Sequence, residues 1–237
     1  MLKELAQYIV EQSKPHRERI GNGEYSDKNL VRICQPTAKA LCTSTLHSVV
    51  DYLKNDVDNV RSGKVVIHIE SAQDVRIYHE LNDDKSRESF INATPTLPNV
   101  GIGAYIDLEN FGIMLRSMFV QSETTCALLK ICGNITDENS LKYQDDGVSQ
   151  SVTARTGIAR VEQVGVPNQV KLQPFRTFSE IEQPESEFVF RLKKSGESIY
   201  AGIFEADGGA WKLEAIKRIK EYLEEELSGM DNIVILA

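Results

Sequence analysis

The chain has 237 residues, 41% of them hydrophobic and 26% charged, a balance that matches a soluble globular protein large enough to bury a sizeable core. Its net charge of -8 argues against a surface that attracts phosphate backbones everywhere, while leaving room for a local basic face. No run approaches the roughly 20 apolar residues of a membrane helix, and Lys3 and Glu4 in the first turn lead us to expect neither a signal peptide nor a membrane anchor.

Leu2, Leu5, Ala6, Ile9 and Val10 form a helical stripe that should end before Pro15. His16 through Asn22-Gly23 to Asp27 is polar and reads as a surface loop, and Asn29 to Cys34 alternates as a strand that Pro36 stops. Ser44 or Thr45 caps a helix carrying Leu46, Val49, Val50 and Leu53. Lys64 to Glu70 and Asp74 to Leu81 alternate on either side of the hairpin-sized Ser71 to Gln73, which predicts an antiparallel pair with His68 and His79 facing across it. Ser89 to Ala93 extends that sheet until Pro95 and Pro98 interrupt it.

Asp107 is placed to cap a helix with Leu108, Phe111, Leu115, Met118 and Phe119 on one side. Ser122 begins a second helix, Gly133 stands where a terminator belongs, and the short link predicts a helical hairpin. Strands follow at Ser149 to Ala159, Val161 to Val166 and Gln169 to Leu172, then a hairpin from Phe188 to Phe204 turning at Ser195-Gly196. A last helix from about Ala210 to Leu227 buries Trp211, Ala215, Ile216, Ile219 and Leu223, with Asp207 at its start, and Ile233 to Leu236 reads as a buried final strand.

These elements predict an α+β fold of antiparallel sheets, a central helical hairpin and a C-terminal helix laid across the strand-rich second half. We expect one compact unit over 1–237, with substructure at 1–140 and 141–237. Strand edges and the apolar last strand lead us to expect a homo-oligomer.

Asp145, Asp146, Glu205 and Asp207 are the carboxylates that a divalent-metal nuclease or phosphohydrolase would gather, with Lys212 as charge partner. Their spacing does not enforce a site: a turn pair at Asp145-Asp146 and a helix cap at Asp207 are the commoner uses of such carboxylates. Gly208-Gly209 lacks the G-x-x-x-x-G-K-S/T and G-x-G-x-x-G patterns, and the adjacent Glu205 and Asp207 repel an anion there. Ser149 is not in a G-x-S-x-G elbow. Cys34, Cys42, Cys126 and Cys132 lack paired C-x-x-C spacing and are expected as reduced thiols, with Cys126 and Cys132 buried in a helix. We therefore expect no cofactor and no metal.

Residues 151–178 carry Arg155, Arg160, Lys171 and Arg176 against Glu162 alone, a local net charge of +3. Interleaved with Ser, Thr, Gln and Phe on strands, these four residues are the candidate ligand-binding set, suited to single-stranded nucleic acid or an anionic small ligand. Glu180, Glu182, Glu185 and Glu187 follow at once, so pairing between the two runs is the alternative.

Asp145-Asp146-Gly147-Val148-Ser149-Gln150, Leu172-Gln173-Pro174-Phe175-Arg176-Thr177-Phe178, Gln183-Pro184-Glu185-Ser186 and Phe204-Glu205-Ala206-Asp207-Gly208-Gly209-Ala210-Trp211 resemble segments of an uncharacterised protein family of temperate phages and prophages of Gram-positive bacteria. The Phe-Arg-Thr-Phe to Phe-Val-Phe-Arg-Leu region and the helical middle are more distantly similar to the prophage YfdQ-like domain of unknown function. The resemblance spans most of the chain from about Thr45 and assigns no catalytic residue. It implies a phage gene product in the bacterial cytoplasm: a non-enzymatic accessory or binding protein acting on DNA intermediates, a host protein or an anionic ligand.

Overall fold

In a computed structural model, the structure describes residues 2–20, 23–28, 37–82, 85–135, 143–145, 150–156, 160–196 and 198–237. The chain divides into two compact units, Met1–Ala38 and Lys39–Ala237.

In the first unit, helix α1 (Leu2–Ser13) stops before Pro15 as its stripe predicts. The polar stretch expected as a loop forms a hairpin, β1 (Arg17–Ile20) with β2 (Gly23–Ser26). Its strands were hidden because they carry charges rather than an apolar alternation: Arg19 stands opposite Glu24 and Glu18 opposite Tyr25. The backbone of His16 and Asp27 closes its open end, where Asp27 N–H donates to the His16 carbonyl at 3.2 Å. The strand expected at Asn29 to Cys34 lies outside the described residues.

In the second unit the elements run β3 (Leu41–Thr43), α2 (Leu46–Lys54), a 3-10 turn at Val60–Ser62, β4 (Val65–Ser71), β5 (Asp74–His79), β6 (Ser89–Ala93), β7 (Tyr105–Asp107), α3 (Leu108–Ser117) and α4 (Glu123–Ile135). They continue with β8 (Tyr143–Asp145), β9 (Gln150–Thr156), β10 (Arg160–Val166), β11 (Gln169–Leu172), β12 (Ser186–Ser195), β13 (Ser198–Glu205), α5 (Trp211–Glu226) and β14 (Ile233–Leu236). The class is α+β, as the element pattern predicts.

Thr45 is the cap of α2, its hydroxyl accepting from Ser48 N–H at 3.3 Å, and Asp107 caps α3 by accepting from Asn110 N–H at 2.9 Å. Gln121 closes the other end of α3, its amide donating to the Leu115 carbonyl at 2.9 Å, and so sets the corner into α4. That helix passes the terminator position at Gly133 and ends at Ile135, because Ile131, Cys132 and Ile135 are buried on one side while Gly133 faces open space. Of the two cysteines expected inside this helix, Cys132 is buried but Cys126 is exposed. The register places His68 opposite Arg76 and His79 opposite Val65, so the two histidines do not face each other.

The first sheet has the order β14-β4-β5-β6-β3, with β14 parallel to β4 and β3 parallel to β6. Its inner face, with Ile67, Ile77 and Ile91, packs on Leu46, Val50 and Leu53 of α2 and on Ile219 and Leu223 of α5. The second sheet, β11-β12-β13-β7, is antiparallel throughout, and its Phe188, Phe190 and Ile203 pack on Phe111 and Leu115 of α3 and Leu128 of α4. A third sheet has the order β10-β9-β8.

Two expectations change here. The C-terminal helix lies on the first sheet, where Phe178, Ile181, α5 and β14 all belong with β4 to β6. The last strand is an edge with alternating exposure instead of a buried strand.

Candidate binding cleft at the start of the C-terminal helix

Between β11 and β12 the chain crosses from the second sheet to the first. Gln183 fixes this crossing: its side-chain carbonyl accepts from the N–H of Arg176 (3.0 Å) and Thr177 (3.2 Å), and its amide donates to the Phe178 carbonyl at 2.9 Å. Thr177 donates its hydroxyl to the Ala72 carbonyl at 2.6 Å, and Gln73 donates to the Arg176 carbonyl at 3.1 Å. Phe178 is thereby delivered into the first core, and Arg176 is turned the other way.

Arg176 is buried, with its side chain 8% exposed. The guanidinium stacks 4.0 Å from the Trp211 ring centroid and lies 5.8 Å from that of Phe188. One terminal nitrogen donates to Glu205 at 2.8 Å and the other to the Ser186 hydroxyl. Burial pulls its pKa down to about 10 against the opposing pull of Glu205 and Asp207, so it stays charged at neutral pH. This guanidinium therefore joins the end of β13, the start of β12 and the first residue of α5. It was expected on an open basic face, and the physical reason it is not there is this stack, which buries it.

The strand-to-helix joint follows. Ala206 N–H donates to the Glu187 carbonyl at 2.9 Å, then Gly208 and Gly209 take φ of 63° and 83°, in the left-handed region that glycine enters most readily. Asp207 accepts from Gly209 N–H at 3.0 Å, so the glycine turn that might have received a phosphate already holds a carboxylate. Asp207 organises the turn and is not the cap of α5, a position held by Ala210 without a side-chain bond. Burial tends to raise the Asp207 pKa, but the Ser186 hydroxyl, the Gly209 N–H and Arg176 outweigh it and hold the carboxyl below its ordinary value.

Outside this joint lies a cleft of about 440 Å³. Ala210, Trp211 and Leu213 supply its apolar wall, Glu185, Glu187, Asp207 and Glu214 its carboxylates, and Lys171 and Lys217 its cations. Lys171 bridges Glu185 at 3.6 Å, Lys217 bridges Glu221 at 3.7 Å, and Glu214 accepts from Arg218 at 2.9 Å. Glu187 forms no ion pair among the described residues. Leu213 is 74% exposed, a lone apolar side chain on the outer side of α5.

Of the candidate residues, the structure brings Glu205 and Asp207 together, around Arg176. Lys171 lies on the cleft rim, paired with an acid of the run that follows it. Asp145 ends β8 opposite Gln150, Arg155 pairs in register with Val161, and Arg160 with Thr156. Their side chains, like the whole of Asp146, lie outside the described residues. Among the described residues no group of three or more His, Cys, Asp and Glu side chains is arranged to hold a metal ion, and no helix is long and apolar enough to cross a membrane. Sequence reasoning missed Ser186, Glu187, Leu213 and Lys217 as cleft residues. The one signal for them was Leu213, which falls off the apolar stripe of its helix. Comparison of the chain with protein-family models, curated proteins and solved structures returns no match.

Proposed function

We propose that this chain is a binding protein that acts by contact and not by catalysis, a phage accessory working in the bacterial cytoplasm, and that it engages a host protein through the cleft beside Trp211. The observation that carries this reading is the use made of Glu205 and Asp207. Both face the buried Arg176, so two of the four carboxylates a metal hydrolase would need are engaged in holding the joint. The resemblance to temperate-phage proteins supports the setting.

The cleft's chemistry favours a polypeptide over nucleic acid. Its four carboxylates outnumber its two lysines, and each lysine is already paired. A phosphate backbone would meet net negative charge, whereas a segment presenting an apolar side chain next to an arginine or lysine would find in one cleft both Leu213 and Glu187, which forms no ion pair among the described residues.

The test uses the full chain against an array of host-derived peptides, read by the fluorescence of Trp211, the single tryptophan. Peptides with an apolar residue beside Arg or Lys should bind, and Glu187→Lys with Leu213→Asp should abolish binding while leaving the circular dichroism unchanged. Cleavage of DNA, RNA or cyclic nucleotides that requires Mg2+ or Mn2+ and disappears in Glu205→Gln would overturn the reading.

A further inference from the structure

We propose that β14 and the outer flank of α5 form a twofold interface with a second copy of this chain. Among the described residues β14 is the edge of the first sheet, hydrogen-bonded to β4 on one side alone. It carries none of the devices that keep sheet edges apart: no lysine, no proline and no bulge, and Val234 and Leu236 are 41% and 49% exposed. An open row of backbone donors and acceptors on an uncharged apolar strand is recognised by another strand of the same kind.

The helix above it has the matching geometry. Ile233 and Ile235 pack beneath α5 together with Ile219 and Leu223. The other flank of α5 faces α2, as the 2.7 Å bridge between Lys54 and Glu226 shows. The flank carrying Lys220 and Glu224 is therefore directed outward past β14, while Ile216 packs against the core.

A dyad normal to the sheet through Ile235 pairs the two β14 strands antiparallel and keeps both helix layers on the same side. It sets Ile235 against its own copy, and Val234 against Leu236 of the second copy on the open face, with no charge opposite a like charge. Strands are spaced about 4.8 Å apart and packed helices about 8–10 Å. With α5 lying above the β4–β14 boundary, its axis and that of its copy are separated by about two strand spacings, close to this contact distance. Two residues of strand and five of helix both span about 7 Å, so counting back from the turn the dyad meets α5 near Tyr222. Lys220 and Glu224, which bridge each other within α5 at 3.8 Å, then each face the opposite charge of the second copy, and the interface is self-complementary in charge.

Light scattering after size exclusion should give twice the chain mass of 26.6 kDa, and a monomer at micromolar concentration would overturn the proposal. Val234→Lys with Leu236→Lys should return the chain to monomer. Because that pair lies in a strand and can impair folding, Lys220→Glu at the helix surface gives a second reading. It should dissociate the dimer, and Lys220→Glu combined with Glu224→Lys should restore it. A dimer that survives both Lys220→Glu and the edge lysines uses another surface and refutes this one.

Discussion

Replacing Arg176 by alanine removes the guanidinium that ties Glu205, Ser186 and Trp211 together. Breaking a buried ion pair from one side costs about 3–5 kcal/mol, and a desolvated cation over an indole adds about 2 kcal/mol. The Glu205 side chain is 38% exposed, so water screens much of the pair, and discounted for this the two contributions together come to about 3 kcal/mol. For a unit of this size that corresponds to a fall in melting temperature of about 6–12 °C. Thermal unfolding followed by Trp211 fluorescence reads the site directly, since the stacked ring is the only tryptophan. Arg176→Met separates charge from packing: it fills the space over the ring but leaves Glu205 unpaired, and should fall between alanine and the parent. An alanine variant melting within about 2 °C of the parent would show that the guanidinium is not a structural tie, and would return Arg176 to the ligand-binding set.

Gly202→Ala should weaken the β13–β7 edge, because an added Cβ would lie 3.0 Å from the Ala104 carbonyl oxygen and 3.1 Å from Tyr105 Cδ1. Overpacking of this kind costs about 1–3 kcal/mol, and faster hydrogen exchange at Tyr105–Asp107 would locate it. A maleimide added to the native chain should label Cys42 and Cys126 quickly and Cys132 only on unfolding, since burial raises the Cys132 thiol pKa to about 12. The Asp107 carboxyl is held below its ordinary value, chiefly by the Asn110 N–H, so its capping stabilises the fold above about pH 4 and fades as pH falls through the lowered folded pKa. The stability gap between the parent and Asp107→Asn in urea titrations should accordingly be present at pH 7 and narrow towards pH 3.

Where a signal was local, the sequence carried it. Thr45 and Asp107 announce their helices because capping is decided within three residues, and the alternation around Ser71 to Gln73 and Ser195-Gly196 fixes two hairpins because side-chain parity is a nearest-neighbour property. The β1–β2 hairpin was missed because its strands carry charge where alternation of apolar residues is sought. The docking of α5 is a different kind of fact. Its stripe says that one side is buried, and two sheets were available to bury it. Arg176 shows the limit for the site: in Phe175-Arg176-Thr177-Phe178 nothing distinguishes a cation aimed at solvent from one turned beneath a tryptophan 35 positions later. Glu205 and Asp207 were legible as a pair, but their partner was not.

The parallel pairing of β14 with β4 has a consequence for how the chain is made. β4, β5 and β6 leave the ribosome with their apolar inner face complete, yet the helix that covers part of it and the strand that borders it follow only after about half of the chain's length. Until Phe178, Ile181 and then α5 emerge, Ile67 and Ile77 have α2 as their lid among the described residues. Closing so distant a contact is slow, and an uncovered apolar sheet is prone to wrong association while it waits. We expect the nascent chain to depend on chaperone binding over this interval, and a polypeptide truncated before Trp211 to aggregate when expressed alone.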